Sequence, residues 1–402
     1  MGKLFVALST VPLLTVWACG GSGPMQTTDP AVGDAAGVAM NPSDLHLHRS
    51  GPYTQRNLVS DGTEGAPMAE HTDMNLVNSW GLDALPTTPW WVADNGAGVS
   101  TLYNGDGIAQ PAASPLVVTI PAPDGEPMSA PTGLVANPTA DFPVDVAAGG
   151  TLPARFIFDT EDGTISAWTL TNPVTKLAEL KVPATATSGA VFKGLAIAST
   201  PSGSRLYATD FHNGMVRVYD GNFNDVTRPD RFRDRRIPKG FAPFGIRVIR
   251  GIVLVTYAKQ DADAHDDVRG PGNGFIDAYS LGGRLLARIA SRGKLNSPWG
   301  LALSPAGFGP QSFRLLVGNF GDGHIVSFGL HREDGHDRGE QRDDFDDDGM
   351  YFQGVNGPIV IDGLWALSFG NGAAAGPTNT LFFTSGPSEE THGLFGRIDF
   401  TP

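Results

Sequence analysis

The sequence contains one cysteine, Cys19, among its 402 residues. An intramolecular disulfide is therefore impossible, and a zinc site built from paired cysteines is excluded as well. The sequence also lacks a G-x-S-x-G nucleophile elbow, an H-E-x-x-H helix and a Walker phosphate loop. Serine-nucleophile hydrolysis, zinc proteolysis and nucleotide chemistry consequently have no support in the sequence.

Positive charge is scarce. The chain has 28 Lys and Arg residues against 42 Asp and Glu residues, which gives a formal net charge of −14. This excess repels phosphate backbones, so we expect no nucleic-acid partner. The acidity has two interpretations that composition alone does not separate: simple solubility, or acidic loops that hold cations.

Long apolar runs are also missing. The run from Leu4 to Val16 is too short to span a bilayer comfortably, follows a lysine and ends near the small Ala18, which is the layout of a secretory signal. We therefore expect residues 1–18 to be a signal peptide and the protein to be exported. The letters around Cys19, VWACGGS, resemble the lipobox of bacterial lipoproteins, although Trp17 is bulkier than the usual residue. This predicts lipidation of Cys19. The alternative is conventional cleavage of the signal peptide, which would leave Cys19 with an unmodified thiol.

Residues 19–50 are rich in Gly, Ala, Pro, Asp and Thr and have few large apolar side chains. This composition is typical of a flexible tether. With Cys19 acylated, we expect a monomer at the bacterial cell envelope that meets the membrane only through its lipid anchor. Without acylation, the same protein would be secreted or periplasmic.

Glycine and proline, by contrast, are abundant, with 52 and 31 residues. Such usage fits many short strands joined by turns. The stretch from Leu295 to Phe328 shows the pattern: a turn at Pro298-Trp299-Gly300, two short apolar strands, a tight turn at Gly321-Asp322-Gly323 and a third strand. This is a small antiparallel meander.

The meander recurs along the chain, and its landmark is the turn residue at 81, 133, 194, 245, 300 and 366, with spacings of 52, 61, 51, 55 and 66 residues. One meander cannot bury both of its faces, and radial packing of several is the propeller solution. We therefore predict an all-β fold, a six-bladed β-propeller over residues 51–402, with Tyr53 to Val59 as an outer strand of the last blade. The landmark glycines should let two backbones approach closely, and the aromatic residues before them (Trp80, Phe244, Trp299) should pack between blades.

Longer phrases inside these repeats resemble an uncharacterised bacterial family of exported proteins related to NHL-repeat propellers. The resemblance covers nearly everything past the tether and implies an NHL-like propeller and export, but no activity. The phrases that carry it include Pro89-Trp90-Trp91-Val92-Ala93-Asp94-Asn95, Tyr207-Ala208-Thr209-Asp210-Phe211-His212-Asn213-Gly214, Leu295-Asn296-Ser297-Pro298-Trp299-Gly300-Leu301 and Thr391-His392-Gly393-Leu394-Phe395-Gly396.

The turns between the second and third strands should open on one face and bring polar side chains to a common mouth. Asp94, Asp210, Asp261 and Asn319 are the candidate metal ligands there, and calcium is the candidate cofactor because it prefers oxygen ligands. The alternative is that Asp and Asn are the ordinary residues of tight turns.

The fourth unit has an expanded turn, and Asp261 to Asp267 holds four carboxylates and a histidine in seven residues. Such crowding of like charge costs free energy unless a cation or a basic partner offsets it. A solvated acidic loop is the alternative. The candidate ligand-binding residues are His212, Asp263, His265, Asp266 and Asp267.

A second acidic stretch, residues 332–349, interrupts the last third of the propeller. Its letters DFDDDG match the first half of a calcium loop, but position twelve would be Val355 in place of the bidentate glutamate. We therefore expect a mobile acidic insertion there.

These observations leave three functions open. The first is a binding module whose mouth holds a small molecule, a glycan or a protein segment. The second is a calcium-dependent hydrolase of the lactonase-like propeller type, in which His212, His265 or an aspartate moves a proton. The third is a structural envelope protein that uses its rim for assembly.

Overall fold

The computed structural model describes residues 52–147, 149–329 and 349–402. The predicted signal peptide, the lipidation site at Cys19, the tether and the acidic insertion up to residue 348 lie outside the described residues. Within those ranges no helix has the length and apolar character needed to cross a membrane.

The regular secondary structure of the described chain is β-strand, apart from three single-turn 3₁₀ helices at Asn95–Ala97, Ala184–Ala186 and Gly309–Gln311. In chain order the first strands are β1 (Tyr53–Ser60), β2 (His71–Thr72), β3 (Ser79–Asp83), β4 (Trp90–Asp94), β5 (Val99–Tyr103), β6 (Val118–Thr119), β7 (Pro131–Ala136), β8 (Pro143–Asp145), β9 (Thr151–Pro153), β10 (Phe156–Thr160), β11 (Ile165–Trp168), β12 (Glu179–Val182), β13 (Phe192–Thr200), β14 (Gly203–Asp210) and β15 (Met215–Asp220). The remaining strands are β16 (Phe241–Ile249), β17 (Ile252–Lys259), β18 (Gly274–Ser280), β19 (Leu285–Ser291), β20 (Pro298–Leu303), β21 (Arg314–Asn319), β22 (Ile325–Gly329), β23 (Met350–Tyr351), β24 (Gln353–Gly354), β25 (Gly357–Pro358), β26 (Leu364–Phe369), β27 (Leu381–Ser385) and β28 (Leu394–Phe400).

The strands form a six-bladed β-propeller, as the repeat predicts. Blade 1 is the sheet β3-β4-β5-β6, blade 2 is β7-β10-β11-β12, blade 3 is β13-β14-β15, blade 4 is β16-β17-β18-β19 and blade 5 is β20-β21-β22-β23. Blade 6 combines β26-β27-β28 with β1 and β2 from the start of the domain. The antiparallel pairing of β1 with β28, from Tyr53↔Phe400 to Ser60↔Leu394, closes the ring. The predicted outer strand of the last blade is therefore confirmed.

Each of the six interfaces between neighbouring blades has its own hydrophobic cluster. Alternate side chains of one strand enter opposite clusters: Trp90 and Val92 pack against blade 6, whereas Trp91 and Ala93 pack against blade 2. A strand with both faces buried needs apolar residues at consecutive positions, which is why Trp90–Asp94 reads as an unbroken apolar run.

The landmark glycines lie where innermost strands of neighbouring blades come closest. A methyl group on Gly245 would lie 2.9 Å from the Cα and the carbonyl carbon of Trp299 in the next blade, and one on Gly194 would lie 3.0 Å from the Phe244 carbonyl oxygen. Gly81, Gly133 and Gly300 face the next blade's backbone in the same way. The expected close approach is confirmed.

Threonines reinforce these contacts between blades. The hydroxyl of Thr209 donates to the Phe244 carbonyl at 2.6 Å, that of Thr256 to the Pro298 carbonyl at 2.5 Å, and that of Thr384 to the Trp80 carbonyl at 2.5 Å. Each acceptor belongs to the next blade, so each bond ties two blades together beside the axis.

The register of the strands shows which turns share a face. The first residues of the innermost strands pair with the last residues of the second strands, as in Ser79↔Asp94, Phe192↔Asp210 and Pro298↔Asn319. The turns between second and third strands therefore lie on the face where the innermost strands begin. We call the centre of this face the mouth.

Gly245→Ala should destabilise the propeller by about 1–3 kcal/mol, because the added methyl group would press on the Trp299 backbone and force a shift at the axis. Urea denaturation of both proteins would measure the loss. Gly282→Ala is the matched control, since Gly282 has an ordinary φ and its Cβ would come no closer than 3.9 Å to another residue. Equal stability of the two variants would contradict this account of the landmark glycine.

Candidate functional site

A β-bulge sits at the landmark of every blade, where the pairing of the innermost strand with its neighbour shifts register. A bulge interrupts the alternation of side chains and re-aims the residues within it. The residue before the landmark is thereby free to turn toward the propeller axis. These residues are Trp80, Thr132, Lys193, Phe244, Trp299 and Trp365.

Four of these residues form an aromatic plug on the axis, together with Phe211 and Phe320. Trp365 stacks on Trp80 with ring centroids 3.4 Å apart and on Phe320 with centroids 3.8 Å apart. Trp299 meets both tryptophans edge-on, at 6.0 and 5.8 Å. The prediction that Trp80, Phe244 and Trp299 pack between adjacent blades is therefore wrong, because the bulge directs them to the axis, where they form one cluster.

Lys193 stands in blade 3 where blades 1, 4, 5 and 6 have an aromatic residue, and its side chain is 2% exposed. Its ammonium lies 5.4 Å from the Trp80 ring centroid and 6.0 Å from that of Phe211. It donates to Glu161 of blade 2 and, at 3.1 Å, to Asp266 of blade 4. Three blades are thus joined through one cation.

Sequence reasoning missed Lys193, although the signal was present. In the aligned landmarks it is the one charged residue at a position that otherwise carries Trp, Phe or Thr. Burial alone would lower the pKa of the ammonium, but the carboxylates of Glu161 and Asp266 outweigh burial and raise the pKa above its usual value. Lys193 is therefore charged at neutral pH.

Side-chain amides extend this contact around the mouth. Asn95 donates to Glu161 at 2.8 Å and accepts from Asn78 at 3.1 Å. Asn78 also donates to Glu390 of blade 6 at 2.8 Å, and its oxygen accepts from the Trp365 indole at 3.1 Å. The resulting chain of bonds runs from blade 6 through blades 1, 2 and 3 to blade 4 and is anchored to the plug beneath it.

Arg269 completes the circuit on the remaining side. Its guanidinium lies 3.6 Å from Glu389 and 3.9 Å from Glu390, and it covers the ring of Phe320 from blade 5 at 4.4 Å. We call the charged residues of this circuit the mouth cluster: Glu161, Lys193, Asp266, Arg269, Glu389 and Glu390. Four carboxylates there face two cations.

Glu390 has a raised pKa, chiefly because it is buried and in part because of the neighbouring carboxylates. Its pKa is raised to about 7: burial is the main cause and the nearby Glu161 and Asp266 carboxylates add to it, while the Asn78 hydrogen bond and Lys193 act in the opposite direction. This carboxyl consequently exchanges a proton near neutral pH.

The first two predicted metal ligands, Asp94 and Asp210, are fully buried and hydrogen-bonded within their own blades. Asp94 accepts from Ser79 at 3.1 Å and from the Thr101 hydroxyl at 2.7 Å, and its burial raises its pKa well above the usual value. Asp210 accepts from the Arg217 guanidinium at 2.8 Å and from Asn213. Both side chains stabilise a strand end.

The other two predicted ligands are also engaged locally. Asp261 accepts from the backbone N–H of His265 at 2.9 Å, which closes its own loop. The Asn319 side chain accepts from the Asn296 N–H at 3.2 Å and donates to the Lys294 carbonyl at 2.7 Å. The structure thus gives each of the four candidates a local role, and their joint binding of calcium stays a prediction.

The predicted ligand-binding residues divide into three groups. His212 and Asp263 are exposed on their turns. His265 bonds to Asp266 at 3.0 Å; this bond raises the pKa of the imidazole and, with Lys193, holds the pKa of Asp266 far below its usual range. Asp267 points inward, its burial raises its pKa, and one of its oxygens has no hydrogen-bond partner.

One group of side chains in the described ranges has metal-ligand geometry, namely Glu161, His265 and Asp266, whose ligand atoms lie within 4.8 Å of one another. Lys193 bonds to two of these three residues. A metal ion would have to approach the ammonium closely, and the two positive charges would repel each other. The Lys193 ammonium thus already supplies the cation that these carboxylates require.

Two proteins of Acanthamoeba polyphaga mimivirus are similar to this chain over most of their length. "Uncharacterized protein R648" is 32% identical over 356 residues, which cover 85% of this chain and 78% of that protein. "Uncharacterized protein L690" is 30% identical over 353 residues, which cover 82% of each chain. The chain belongs to their family. The family members found are viral, so the comparison does not support the bacterial origin expected from the sequence.

No family model matches the chain. Among solved structures, virginiamycin B lyase from Staphylococcus aureus aligns with a TM-score of 0.43 and 14% identity, over 86% of this chain and 98% of the lyase. A glucose dehydrogenase aligns with a TM-score of 0.46 and 14% identity over the same shares. At such scores these likenesses carry no argument about what this protein does.

Lys193→Met should destabilise the protein by about 2 kcal/mol, because Glu161 and Asp266 would face each other without their shared cation. We expect less than the cost of breaking a fully buried pair, since Asp266 is 68% exposed. Chemical denaturation measures the change. Lys181→Met, which breaks the pair with Glu179 on the outer strand of blade 2, should cost under about 1 kcal/mol. The reverse order of the two losses would contradict the role given to Lys193.

Glu390 should make stability fall as pH rises. The folded state keeps a proton on Glu390 up to about pH 7, whereas the unfolded state releases it near its ordinary pKa of 4.5. The stability of Glu390→Gln relative to the wild type should therefore improve between pH 5 and pH 8, by about 1 kcal/mol because the group is partly solvated. Glu389→Gln, its 86% exposed neighbour, is the control and should show no such trend. A flat difference for Glu390→Gln would contradict the raised pKa.

Proposed function

We propose that this protein is an exported, lipid-anchored binding module whose mouth binds a positively charged ligand, either a small amine or a basic side chain of a protein segment. The observation that carries this proposal is the surplus of carboxylates in the mouth cluster. Lys193 and Arg269 are each shared by two carboxylates, so the mouth cluster has more acidic than basic groups.

The exposure of the acidic side chains at the mouth also supports the binding of a cation. Asp266 and Glu389 are 68% and 86% exposed, and Asp263 lies on the surface of the same loop as Asp266. The aromatic plug beneath is buried, so an incoming ligand meets carboxylates first. Burial is the main cause of the raised pKa of Glu390, and repulsion by Glu161 and Asp266 adds to it. A ligand cation would reduce that repulsion, which favours binding electrostatically.

The calcium-dependent hydrolase is the second candidate. The observation that favours catalysis is that Glu390 exchanges its proton near neutral pH, in reach of the mouth, as a general acid or base requires. Its weakness is that each of the four expected calcium ligands has partners in or beside its own blade. Hydrolysis of a lactone that is lost in Glu390→Gln would favour this candidate over the binding module.

Calorimetric titration of the full-length protein with spermidine and with a lysine-containing tetrapeptide tests the proposal. We expect binding of both at low ionic strength, weaker binding as salt is added, and none of the glutamate-containing counterpart. The double variant Asp263→Asn with Glu389→Gln should bind about fivefold more weakly, since each exposed charge contributes modestly.

The matched control is Asp145→Asn. Asp145 is exposed on the β8–β9 hairpin, which follows an innermost strand and therefore lies on the face opposite the mouth. The Asp145→Asn variant should bind spermidine and the lysine-containing peptide as tightly as the wild type does. Equal weakening by the control and the double variant, or preference for the acidic peptide, would overturn a cation-binding mouth.

A further inference from the structure

A cavity of about 160 Å³ lies on the axis beyond the aromatic plug, toward the face opposite the mouth. Each blade lines it with the residues that follow its landmark, such as Leu82 in blade 1, Leu134 in blade 2 and Leu195 in blade 3. Trp299 belongs to both the plug and the cavity wall. None of the residues of the mouth cluster lines the cavity, so the cavity and the mouth cluster are separate sites.

The backbone adds polar groups to this wall. Every innermost strand stands at the end of its sheet and is paired on one side only. Part of the N–H and C=O groups of these strands are therefore left without a partner in their own sheet and face the axis. The cavity thus combines apolar side chains with donors and acceptors, as small-molecule sites do.

Two residues of opposite charge, Asp83 and Arg247, line the cavity. Asp83 and Arg247 both stand two residues after their landmarks, and they belong to blades 1 and 4, which lie opposite each other in a ring of six. The Arg247 guanidinium is held by the Leu367 carbonyl at 2.9 Å and by the Ser368 hydroxyl at 3.0 Å. The Asp83 carboxylate accepts the backbone N–H groups of Ala84 and Ala136, both at 2.9 Å.

These two charged groups are not in direct contact. No carboxylate in the described ranges lies within 4.0 Å of the Arg247 guanidinium. Burial raises the pKa of Asp83, and the attraction of the nearby Arg247 acts against that rise. Each group has hydrogen-bond partners but no opposite charge in contact with it. A half-buried charge in that state is costly, and a ligand that bridges the two groups would relieve the cost for both.

We propose that the axial cavity binds a small zwitterion of the amino-acid class, with its carboxylate on Arg247 and its ammonium on Asp83. Arginine binds carboxylates through parallel N–H donors, and aspartate accepts from an ammonium group. The cavity is smaller than the roughly 300–1,000 Å³ of sites for drug-sized ligands, so the ligand has only a few heavy atoms. Glycine and alanine are the members of this class that fit most easily.

Calorimetric titration of the full-length protein with glycine and with L-alanine tests the proposal, and acetate and methylammonium are the probes that carry one charge each. We expect saturable binding of the amino acids and at least tenfold weaker binding of each half-ligand. Acetate binding as tight as glycine would overturn the proposal in favour of a simple anion site. Failure of both amino acids to bind at millimolar concentration would overturn it outright.

Variants of Asp83 and Arg247 test whether the ligand binds to these two charged side chains. Arg247→Gln and Asp83→Asn should each weaken glycine binding about tenfold or more. Arg250→Asn is the matched control: Arg250 is exposed at the adjacent turn with φ of 51°, which asparagine tolerates, and its affinity should be unchanged. Melting curves establish whether each variant is folded. If a variant does not fold, the comparison of glycine with acetate and methylammonium on the wild-type protein still tests the proposal. A loss in Arg250→Asn equal to that in Arg247→Gln would overturn the assignment.

Discussion

The close approach of neighbouring backbones at the axis is the constraint on which the rest of this protein depends. It requires glycine at the landmark of five blades, because a side chain there would meet the next blade's main chain. Once the innermost strands are this close, a bulge at the same point aims the preceding residue inward. The aromatic plug, the buried Lys193 and the reach of side chains across the mouth all follow from that geometry.

The fold could be predicted because each repeat is recognisable from residues that are close together in the sequence. Turn residues, short apolar strands and a recurring glycine are visible in a few adjacent positions, and they are enough to count six blades. The direction of the aromatic residues could not be predicted in the same way. Regular alternation would place Trp80 or Trp299 between blades, and only the bulge, which depends on pairing with another strand, turns them to the axis.

The site was predictable in part, for a related reason. The acidic loop that holds His265 and Asp266 was visible as an unusual composition, and crowded carboxylates implied a compensating cation. The identity of that cation was not visible, because Lys193 lies 73 residues away and reaches the loop from another blade. Likewise, Asp94 and Asp210 occupy equivalent turns, yet Thr101 and Arg217 of their own sheets hold them. Equivalent positions in a repeat place the backbone of two residues in the same way, but the hydrogen-bond partners of each side chain determine its role.

The closure of the ring by β1 and β28 has a consequence for how the chain acquires its structure. These strands come from opposite ends of the domain, so the last blade is complete only when residues near 400 have been synthesised. Until then the apolar faces that blades 1 and 5 present to blade 6 stay without their partner, including those of Trp90 and Leu316. Contacts between such distant residues form slowly, and an incomplete ring exposes surface that favours aggregation. The ring can therefore close only after its final strands have been made, however early the first five blades collapse.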